Sequence, residues 1–312
     1  MLWYIGKRLL LLFPVLIGIS FIIFCIMNLT PGDPAILILG EGATPEAVHQ
    51  LREEMGLNDP FFLRFGRFLL GALRLDFGLS YRTRLPVIEE IIARFPNTLT
   101  LSFFAMTLAI TVGLPIGVIS AVKQYTLVDG ISLATALIMT SIPGFWLGLL
   151  LMLQFSLRMN LLPAIGADTW QNFVLPSITV AIGTMAILIR MTRGTMLEVI
   201  RQDYIRTAKS KGATPTRVVL RHALRNALLP VITIIGINFG AMLGGAMIAE
   251  TVFAMPGLGT LMITSIRMMD TPVVMAAVIV AAIIVGVVNL LVDILYVLID
   301  PRIKSQYVKV KR

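Results

Sequence analysis

The sequence predicts an all-α integral membrane protein, a polytopic helical bundle of six transmembrane helices with both termini in the cytoplasm. Three observations predict it. Of the 312 residues 57% are hydrophobic and only 14% are charged, and the mean hydropathy is +0.89, values too apolar for a soluble domain. Six uncharged runs, each of about 17 to 27 residues, are long enough to cross a bilayer. The basic residues are also strongly biased to one side of those runs.

The six runs alternate with connections of very different length and charge. They are Leu9–Leu29, Thr98–Val122, Ile131–Leu157, Phe173–Ile189, Ala227–Ala249 and Thr271–Val292. Seventeen Lys and Arg residues lie before the first run, in the second and fourth connections, or after the last run. The short connections on the opposite side carry only Arg158 and Arg267. This positive-inside asymmetry places both termini in the cytoplasm, and it explains the net charge of +9 without a nucleic-acid partner.

The runs divide the chain into three predicted parts. Residues 1–29 form the cytoplasmic N-terminus and the first transmembrane helix, residues 30–97 an extracytoplasmic segment, and residues 98–312 the transmembrane core. The first run lacks a small-residue cleavage site, so we expect a retained helix and not a removable signal peptide. The single cysteine, Cys25, lies inside that run and is expected to act as a small apolar residue.

The first connection is long and nearly neutral, with seven Lys or Arg and nine Asp or Glu residues. Long translocated segments are largely exempt from the charge rule, so it can lie outside. Thr44 and Pro45 predict an N-cap that opens a helix through about Met55. The stretch from Pro60 to Leu75 is amphipathic, which favours a position at the membrane surface or against another helix. The segment is therefore predicted to be folded and helical.

Helix-breaking residues interrupt several of the membrane runs, namely Pro115, Pro143-Gly144, Pro176, Pro230 and Gly244-Gly245. They indicate kinks and close helix packing, or alternatively a translocation path. The second half of the fifth run is rich in small residues, and we expect it beside a central path. The candidate path-lining residues are Asn238, Gly240, Gly244 and Gly245.

The most hydrophilic stretch between two membrane runs extends from Arg190 to Asn226 and carries nine basic residues against two acidic ones. So basic a connection belongs on the cytoplasmic side. On charge alone, an ordinary solvated loop is the simpler interpretation.

The order of residues within that stretch predicts a helix, a tight turn and a second helix. Ile200, Tyr204 and Ala208 recur at the spacing of one helix face. Gly212 stands where a helix ends in a left-handed residue, and Thr214-Pro215 reads as the N-cap and first residue of the next helix.

The segment Arg206-Thr207-Ala208-x-x-x-Gly212, ending at Leu229-Pro230, resembles the EAA loop of ABC-importer permeases, most closely in the dipeptide, oligopeptide and nickel branch. In that family the short helix is a coupling helix that docks on the ATPase subunit. Two departures are Arg206, where the family usually has an acidic residue, and a longer distance from the glycine to Leu-Pro. The resemblance assigns coupling to Tyr204, Ile205, Arg206, Thr207, Ala208, Lys209 and Gly212.

Four further segments resemble signatures of the same branch and cover the chain in the right order. They are residues 31–35 (Pro-Gly-Asp-Pro-Ala), 76–80 (Asp-Phe-Gly-Leu-Ser), 250–259 (a short extracytoplasmic turn) and 295–302 (Leu-Tyr-x-Leu-Ile-Asp-Pro-Arg). The resemblance implies a type I importer permease in the bacterial inner membrane, surrounded by lipid. It implies a second homologous permease, two ATP-binding subunits and an extracytoplasmic solute-binding protein as partners. It implies no cofactor.

The sequence lacks the motifs of an enzyme. No phosphate loop of the Gly-x-x-x-x-Gly-Lys-Ser/Thr type occurs, so ATP hydrolysis is expected on partner subunits. His49 and His222 fall on opposite predicted sides of the membrane, and no His, Cys and carboxylate cluster has metal-ligand spacing. A membrane-embedded enzyme is therefore a weak alternative.

A stand-alone secondary carrier is the other alternative, because Glu250 and Asp293 lie near the ends of membrane runs and could relay protons. We expect the transported solute to be a short peptide. Nickel chelates, glutathione and oligosaccharides remain open, because relatives carry each of them.

Overall fold

The protein is described by a computed structural model covering residues 2–40 and 42–299, and within these ranges it is built from helices and turns, with one isolated β-bridge. The helices in chain order are α1 (Leu2–Leu29), α2 (Pro34–Leu39), α3 (Pro45–Glu54), α4 (Phe61–Ala72), α5 (Val87–Val122), α6 (Leu127–Ser141), α7 (Gly144–Leu151), α8 (Val174–Ile200), α9 (Asp203–Ser210), α10 (Pro215–Arg217), α11 (Leu224–Val252), α12 (Leu258–Arg267) and α13 (Thr271–Ile299). Of the C-terminal motif, residues 300–302 lie outside the described residues.

Five helical segments are long and apolar enough to cross a membrane, and a sixth is obtained if one bent pair counts as a single span. The five segments correspond to α1, α5, α8, α10 together with most of α11, and α13. This agrees with the predicted all-α bundle of about six spans.

The bent pair is the predicted third run, which does not form one straight helix. It breaks between α6 and α7, whose axes differ by 97°. Pro143 causes the break, because it has no backbone N–H and disfavours the helical conformation of the residue before it. Ile142 is accordingly extended, with φ −83° and ψ 122°.

The connection between the fourth and fifth membrane helices is shorter than predicted. Helix α8 continues without interruption to Ile200, so Arg190 and Arg193 belong to a membrane helix and not to a loop. At the other end, α10 passes through a π-helical turn (Val218–Ala223) directly into α11. The segment between the two long helices is therefore confined to residues 201–214.

The chain forms two compact units, of which the first contains Met1–Thr98 and Pro256–Val287. In it, α4 packs on α1 through phenylalanine side chains: the Phe24 ring lies 4.9 Å from that of Phe61 and 5.4 Å from that of Phe65, centroid to centroid. Of the two alternatives for the amphipathic stretch, the contact with another helix is thus observed. The predicted cap of α3 is confirmed, since Thr44 Oγ1 accepts a hydrogen bond from Ala47 N at 3.3 Å.

Two aspartates connect segments in the extramembrane part of this unit through hydrogen bonds and an ion pair. Asp33 caps α2 by accepting a hydrogen bond from Ala35 N at 2.9 Å, and it also pairs with Arg52 at 3.1 Å. Asp270 accepts hydrogen bonds from the Ser80 hydroxyl (2.5 Å), Tyr81 N (3.1 Å) and Arg82 N (3.3 Å). These bonds tie the loop after α4 to the start of α13.

The second unit contains Leu99–Met255 and the chain from Val288 onward. Helix α8 is its most buried span, with 67% of its most apolar stretch inside the protein. Helix α5 approaches α8 closely at Gly113 and Gly117, where an added Cβ would lie 3.0 Å from Met185 O and 2.8 Å from Ile189 O. Two glycines four residues apart give the small-residue contact that brings membrane helices together.

Candidate coupling site and cavity

The predicted helix and turn of the basic stretch are present. Helix α9 ends at Ser210, and Gly212 follows with φ +80°, a left-handed conformation that side-chain-bearing residues rarely adopt. The turn closes with hydrogen bonds from Gly212 N to Lys209 O (2.9 Å) and from Ala213 N to Ala208 O (3.2 Å). Such bonds satisfy the free carbonyls at a helix C-terminus.

The helix after the turn also starts where predicted. Thr214 is extended, Pro215 is the first helical residue, and Thr214 Oγ1 accepts a hydrogen bond from Arg217 N at 3.4 Å. Because α10 runs on into α11, only the short turn after Lys211 separates α9 from a membrane-spanning helix.

The predicted apolar face of α9 is wrong by one residue. Ile205 is fully buried, whereas Tyr204 is 42% exposed and Ala208 is half-buried. The packed face therefore centres on Ile205, and Ala208, three residues further on, lies beside it. The periodicity fails because Ile200 still belongs to α8 and the turn at residues 201–202 resets the helical phase.

Ile205 fixes α9 to its own unit. It belongs to an apolar cluster that includes Val118 of α5, Met196 of α8 and Val218 of the π-helical turn. A completely buried isoleucine contributes roughly 1.5–3 kcal/mol through removal of apolar area from water. The Ile205 side chain therefore faces its own chain and holds the helix in place.

The remaining predicted coupling residues are exposed. Arg206 is 80% exposed and lies 3.8 Å from Asp203, which is 97% exposed, so this pair is weak. The Tyr204 hydroxyl accepts a hydrogen bond from Asn226 Nδ2 at 2.9 Å. The other exposed members of the predicted set are Thr207, Lys209 and Gly212.

An ion pair that the sequence analysis missed joins three helices of the same unit. Arg193 of α8 donates two hydrogen bonds to Asp129 of α6, from Nε to Oδ1 at 2.6 Å and from Nη2 to Oδ2 at 2.8 Å. The Ser120 hydroxyl of α5 donates to Asp129 Oδ1 at 2.6 Å, and Tyr125 N donates to Oδ2 at 3.0 Å. The Asp129 side chain is only 5% exposed and that of Arg193 19%.

A sequence signal for this pair existed. Asp129 and Lys123 are the only charged residues between positions 98 and 157, so an aspartate at the edge of an apolar run required a cationic partner. Arg193 is one of the nine basic residues of the predicted loop, and the sequence alone does not show that it lies on α8.

A cavity of about 580 Å³ lies in the second unit, where the break between α6 and α7 meets α8 and α11. Its polar lining comes from hydroxyl and amide side chains, and none of its lining residues is charged. These polar residues are Thr140, Thr179, Thr184 and Asn238.

The structure brings together only part of the predicted path-lining set. Asn238 lines the cavity, whereas Gly240 is half-buried and does not. Gly244 and Gly245 fall within α11 at positions whose surroundings are not described. Among the candidate relay residues, Glu250 is 1% exposed near the end of α11, and Asp293 is half-buried on α13.

The described residues contain no group of three or more His, Cys, Asp or Glu side chains that could hold a metal ion. His49 lies 3.8 Å from Glu53 on the exposed side of α3, and His222 is half-buried in the π-helical turn.

Comparison with protein families gives matches over nearly the whole chain. Residues 113–305 match the family described as binding-protein-dependent transport system inner membrane component, and residues 1–102 match the N-terminal model of such membrane components. The glutathione transport system permease protein GsiC of Escherichia coli is 41% identical over 304 residues, which cover 97% of this chain and 99% of that protein. The dipeptide transport system permease protein DppB of Alkalihalophilus pseudofirmus is also 41% identical, over 97% of this chain and 100% of the relative.

Solved structures share the fold at lower sequence identity. An inward-facing conformation of the MetNI methionine ABC transporter aligns with a TM-score of 0.55 and 20% identity, over 67% of this chain and 96% of that chain. An amino acid ABC transporter crystallised with histidines aligns with a TM-score of 0.52 and 16% identity, over 67% and 93% of the two chains. This chain therefore shares its fold with these ABC transporter chains.

Proposed function

Because the chain belongs to the family of binding-protein-dependent transport system inner membrane components, it is the permease subunit of a bacterial ABC importer, and we propose that it forms half of a translocation pathway for short peptides. Such a permease works with an ATPase and a solute-binding protein. In our proposal a second, homologous permease supplies the other half of the pathway. Two separate ATP-binding subunits carry out ATP hydrolysis.

The observation that carries the proposal is the arrangement of α9. The helix is fastened to its own chain on one side by Ile205, and its opposite side is polar and exposed. Its C-terminal turn leads directly into the α10–α11 helix. A movement imposed on α9 by an ATPase would therefore reach a membrane-spanning helix through a short and tightly bonded connection.

The docking role can be tested with two neighbouring substitutions on α9. Ala208 is half-buried beside the packed face, whereas Lys209 is exposed. We expect Ala208→Asp to lower ATPase co-purification, or ATP hydrolysis stimulated by the binding protein, about tenfold or more, since an unpaired charge in an interface costs several kcal/mol. Lys209→Ala is the matched control and should change either readout little. Equal behaviour of the two variants, at equal membrane levels, contradicts docking through α9.

Two observations support a peptide solute. The relatives at 41% identity are named for glutathione and for dipeptides, and both solutes are short peptides. The cavity offers hydroxyl and amide groups without a fixed charge, so it does not reject peptides by the charge of their side chains. A neutral lining also binds weakly, which suits a path that must release its solute.

The solute is identified by uptake into proteoliposomes that contain the complete importer and its own binding protein. We expect ATP-dependent uptake of a labelled dipeptide or of glutathione. Competition between the two distinguishes a general peptide importer from one restricted to glutathione. Uptake of a nickel chelate or an oligosaccharide, with neither peptide transported, contradicts the proposed solute class.

The proposed orientation places both termini and α9 in the cytoplasm and residues 30–97 outside. It rests on the distribution of basic residues. In a Cys25→Ser background, an impermeant thiol reagent applied to intact cells should label Asn58→Cys and spare Ser210→Cys. The reverse pattern, or labelling of both positions in sealed cells, contradicts the orientation.

A further inference from the structure

Helix α4 has a large apolar surface that nothing in the described chain covers. Its inner face, with Phe61 and Phe65, packs on α1. On its outer side, Phe62 is 76% exposed, Leu70 is 65% exposed and Leu73 is 68% exposed. A short helix with an inner packed face and an outer apolar face needs a second apolar environment.

Arginines occupy the flank between these two faces. Arg64, Arg67 and Arg74 of the α4 region line a cavity of about 590 Å³ together with Arg84 of the following loop. The carboxylates of Glu54 and Asp76 also line it, so the four guanidinium groups outnumber the acids by two. Leu70, which belongs to the exposed apolar face, also lines this cavity.

Two of these arginines are already engaged. Arg64 donates to Asn28 Oδ1 at 2.9 Å and lies 5.6 Å above the Phe24 ring, and Arg67 pairs with Asp59 at 2.9 Å. Within residues 2–40 and 42–299, the guanidinium groups of Arg74 and Arg84 have no hydrogen-bond or ion-pair partner. The cavity thus combines an unneutralised positive charge with unused hydrogen-bond donors, which is the recognition chemistry of a phosphate or carboxylate group.

The position of α4 along α1 indicates whether the anion belongs to a lipid headgroup or is free in solution. Phe21 and Phe24 of α1 contact α4, and they precede the helix end at Leu29 by eight and five residues. At about 1.5 Å per residue the contact lies roughly 8–12 Å from the end of α1. The apolar span Ile5–Leu29 has 25 residues, so at about 1.5 Å each it exceeds the roughly 30 Å hydrocarbon layer. If the excess is shared between the two sides, roughly 4 Å of the span projects beyond each boundary. The contact then lies roughly 4–8 Å inside the hydrocarbon layer, the depth to which an interfacial helix buries its apolar face.

We propose that the arginine-lined cavity binds the headgroup of an anionic phospholipid whose acyl chains lie along the exposed apolar face of α4. Arg74 and Arg84 receive the phosphate oxygens. Phe62, Leu70 and Leu73 contact the chains. An amphipathic helix at the headgroup boundary with basic residues beside its apolar face has the composition that binds anionic lipid.

Tyr81 adds a neutral donor to this cavity. Burial raises the pKa of its phenol above the ordinary value, with smaller and opposing effects from Arg64 and Asp270. The phenol therefore stays protonated at neutral pH and can donate a hydrogen bond to a phosphate oxygen. A free anion would use the same polar groups but would leave the apolar face uncovered, which is why a lipid fits better.

The test uses the complete importer, delipidated and titrated with fluorescent phosphatidylglycerol, with phosphatidylcholine as the neutral probe. The double variant Arg74→Gln, Arg84→Gln should lower the phosphatidylglycerol affinity about tenfold or more, since each basic residue contributes roughly fivefold. Arg82→Gln is the matched control, because Arg82 is exposed in the same loop and does not line the cavity. Phosphatidylcholine should bind weakly to all three proteins.

A second pair of changes separates a lipid from a soluble anion. Leu70→Gln with Leu73→Gln should weaken phosphatidylglycerol binding and leave any binding of glycerol phosphate unchanged. Equal phosphatidylglycerol affinity in the wild type and the double arginine variant overturns the proposal. It is also overturned if inorganic phosphate competes fully while the leucine changes have no effect, which indicates a free-anion site. Unchanged lipid affinity with lost stimulation by the binding protein assigns the arginines to protein docking and overturns it as well.

Discussion

Two aspartates, one in each compact unit, are buried to nearly the same degree and are satisfied in different ways. Asp129 is 4% exposed and Asp270 is 1% exposed. Asp129 lies in the first turn of α6 and receives a guanidinium, a hydroxyl and one backbone N–H. Asp270 immediately precedes α13 and receives a hydroxyl and two backbone N–H groups, with no basic side chain bonded to it in the described part of the chain.

The two aspartates differ in the kind of contact that each can keep while helices move. The Asp129 site joins side chains from α5, α6 and α8, and long side chains can follow small shifts of the helices that carry them. The Asp270 site binds main-chain groups of one loop, and main-chain groups cannot move without moving the loop. In our proposal α9 moves during transport, and the first arrangement suits the unit that contains this helix. The second suits a segment that must keep its shape.

The largest effect is expected from Arg193→Leu, which leaves Asp129 buried without its cation. Removing one partner of a buried ion pair costs about 3–5 kcal/mol, because the remaining charge is poorly solvated. We expect a clear fall in the thermal unfolding midpoint of the purified importer. The double variant Asp129→Leu, Arg193→Leu removes both charges and should be more stable than the single variant. A single variant as stable as wild type contradicts an ion pair that supports the helix contacts.

The comparison also shows which features the sequence could predict. Gly212 and Thr214-Pro215 were predictable, because turn and cap conformations depend on the residues that adopt them. The partner of Asp129 was not, since Arg193 is 64 positions away and pairing depends on how α6 and α8 pack. The buried face of α9 differs from the predicted one because α8 ends at Ile200, so Ile200 does not share a continuous helix with α9. The six apolar runs were predicted by length, but the 97° bend at Pro143 was visible only as a helix breaker.

A smaller effect is expected from Asp270→Ala, which removes the acceptor for Tyr81 N, Arg82 N and the Ser80 hydroxyl. Buried donors without an acceptor cost about 1–3 kcal/mol, and water can reach some of them once the loop opens. The loss should therefore appear as local opening. We expect trypsin to cut the folded importer after Arg82 or Arg84, which the wild type should resist. Adding Arg82→Gln and Arg84→Gln should abolish the cut, whereas resistance of Asp270→Ala itself contradicts the anchoring role.

The smallest effect on stability, with a large effect on transport, is expected at Gly212. The turn holds this residue at φ +80°, and the space where a Cβ would stand is open, with no atom within 4 Å. Gly212→Val therefore meets no clash within its own chain and adds about 1–2 kcal/mol of backbone strain. We expect the variant to insert and to reach the membrane at normal levels, because the strain is confined to residues outside the membrane runs. Uptake should nevertheless fall sharply, since a distorted turn changes how α9 is presented to an ATPase.

Gly212→Asn separates strain from bulk at the same turn. Asparagine tolerates the left-handed conformation far better than valine, so a strained backbone predicts near-normal uptake for Asn and poor uptake for Val. Loss of uptake in both variants indicates instead that the partner needs the space beside the glycine. Either outcome keeps the turn in the coupling path. Near-normal uptake in both would mean that this turn, unlike the two buried aspartates, can change without consequence, and that coupling passes through another part of the chain.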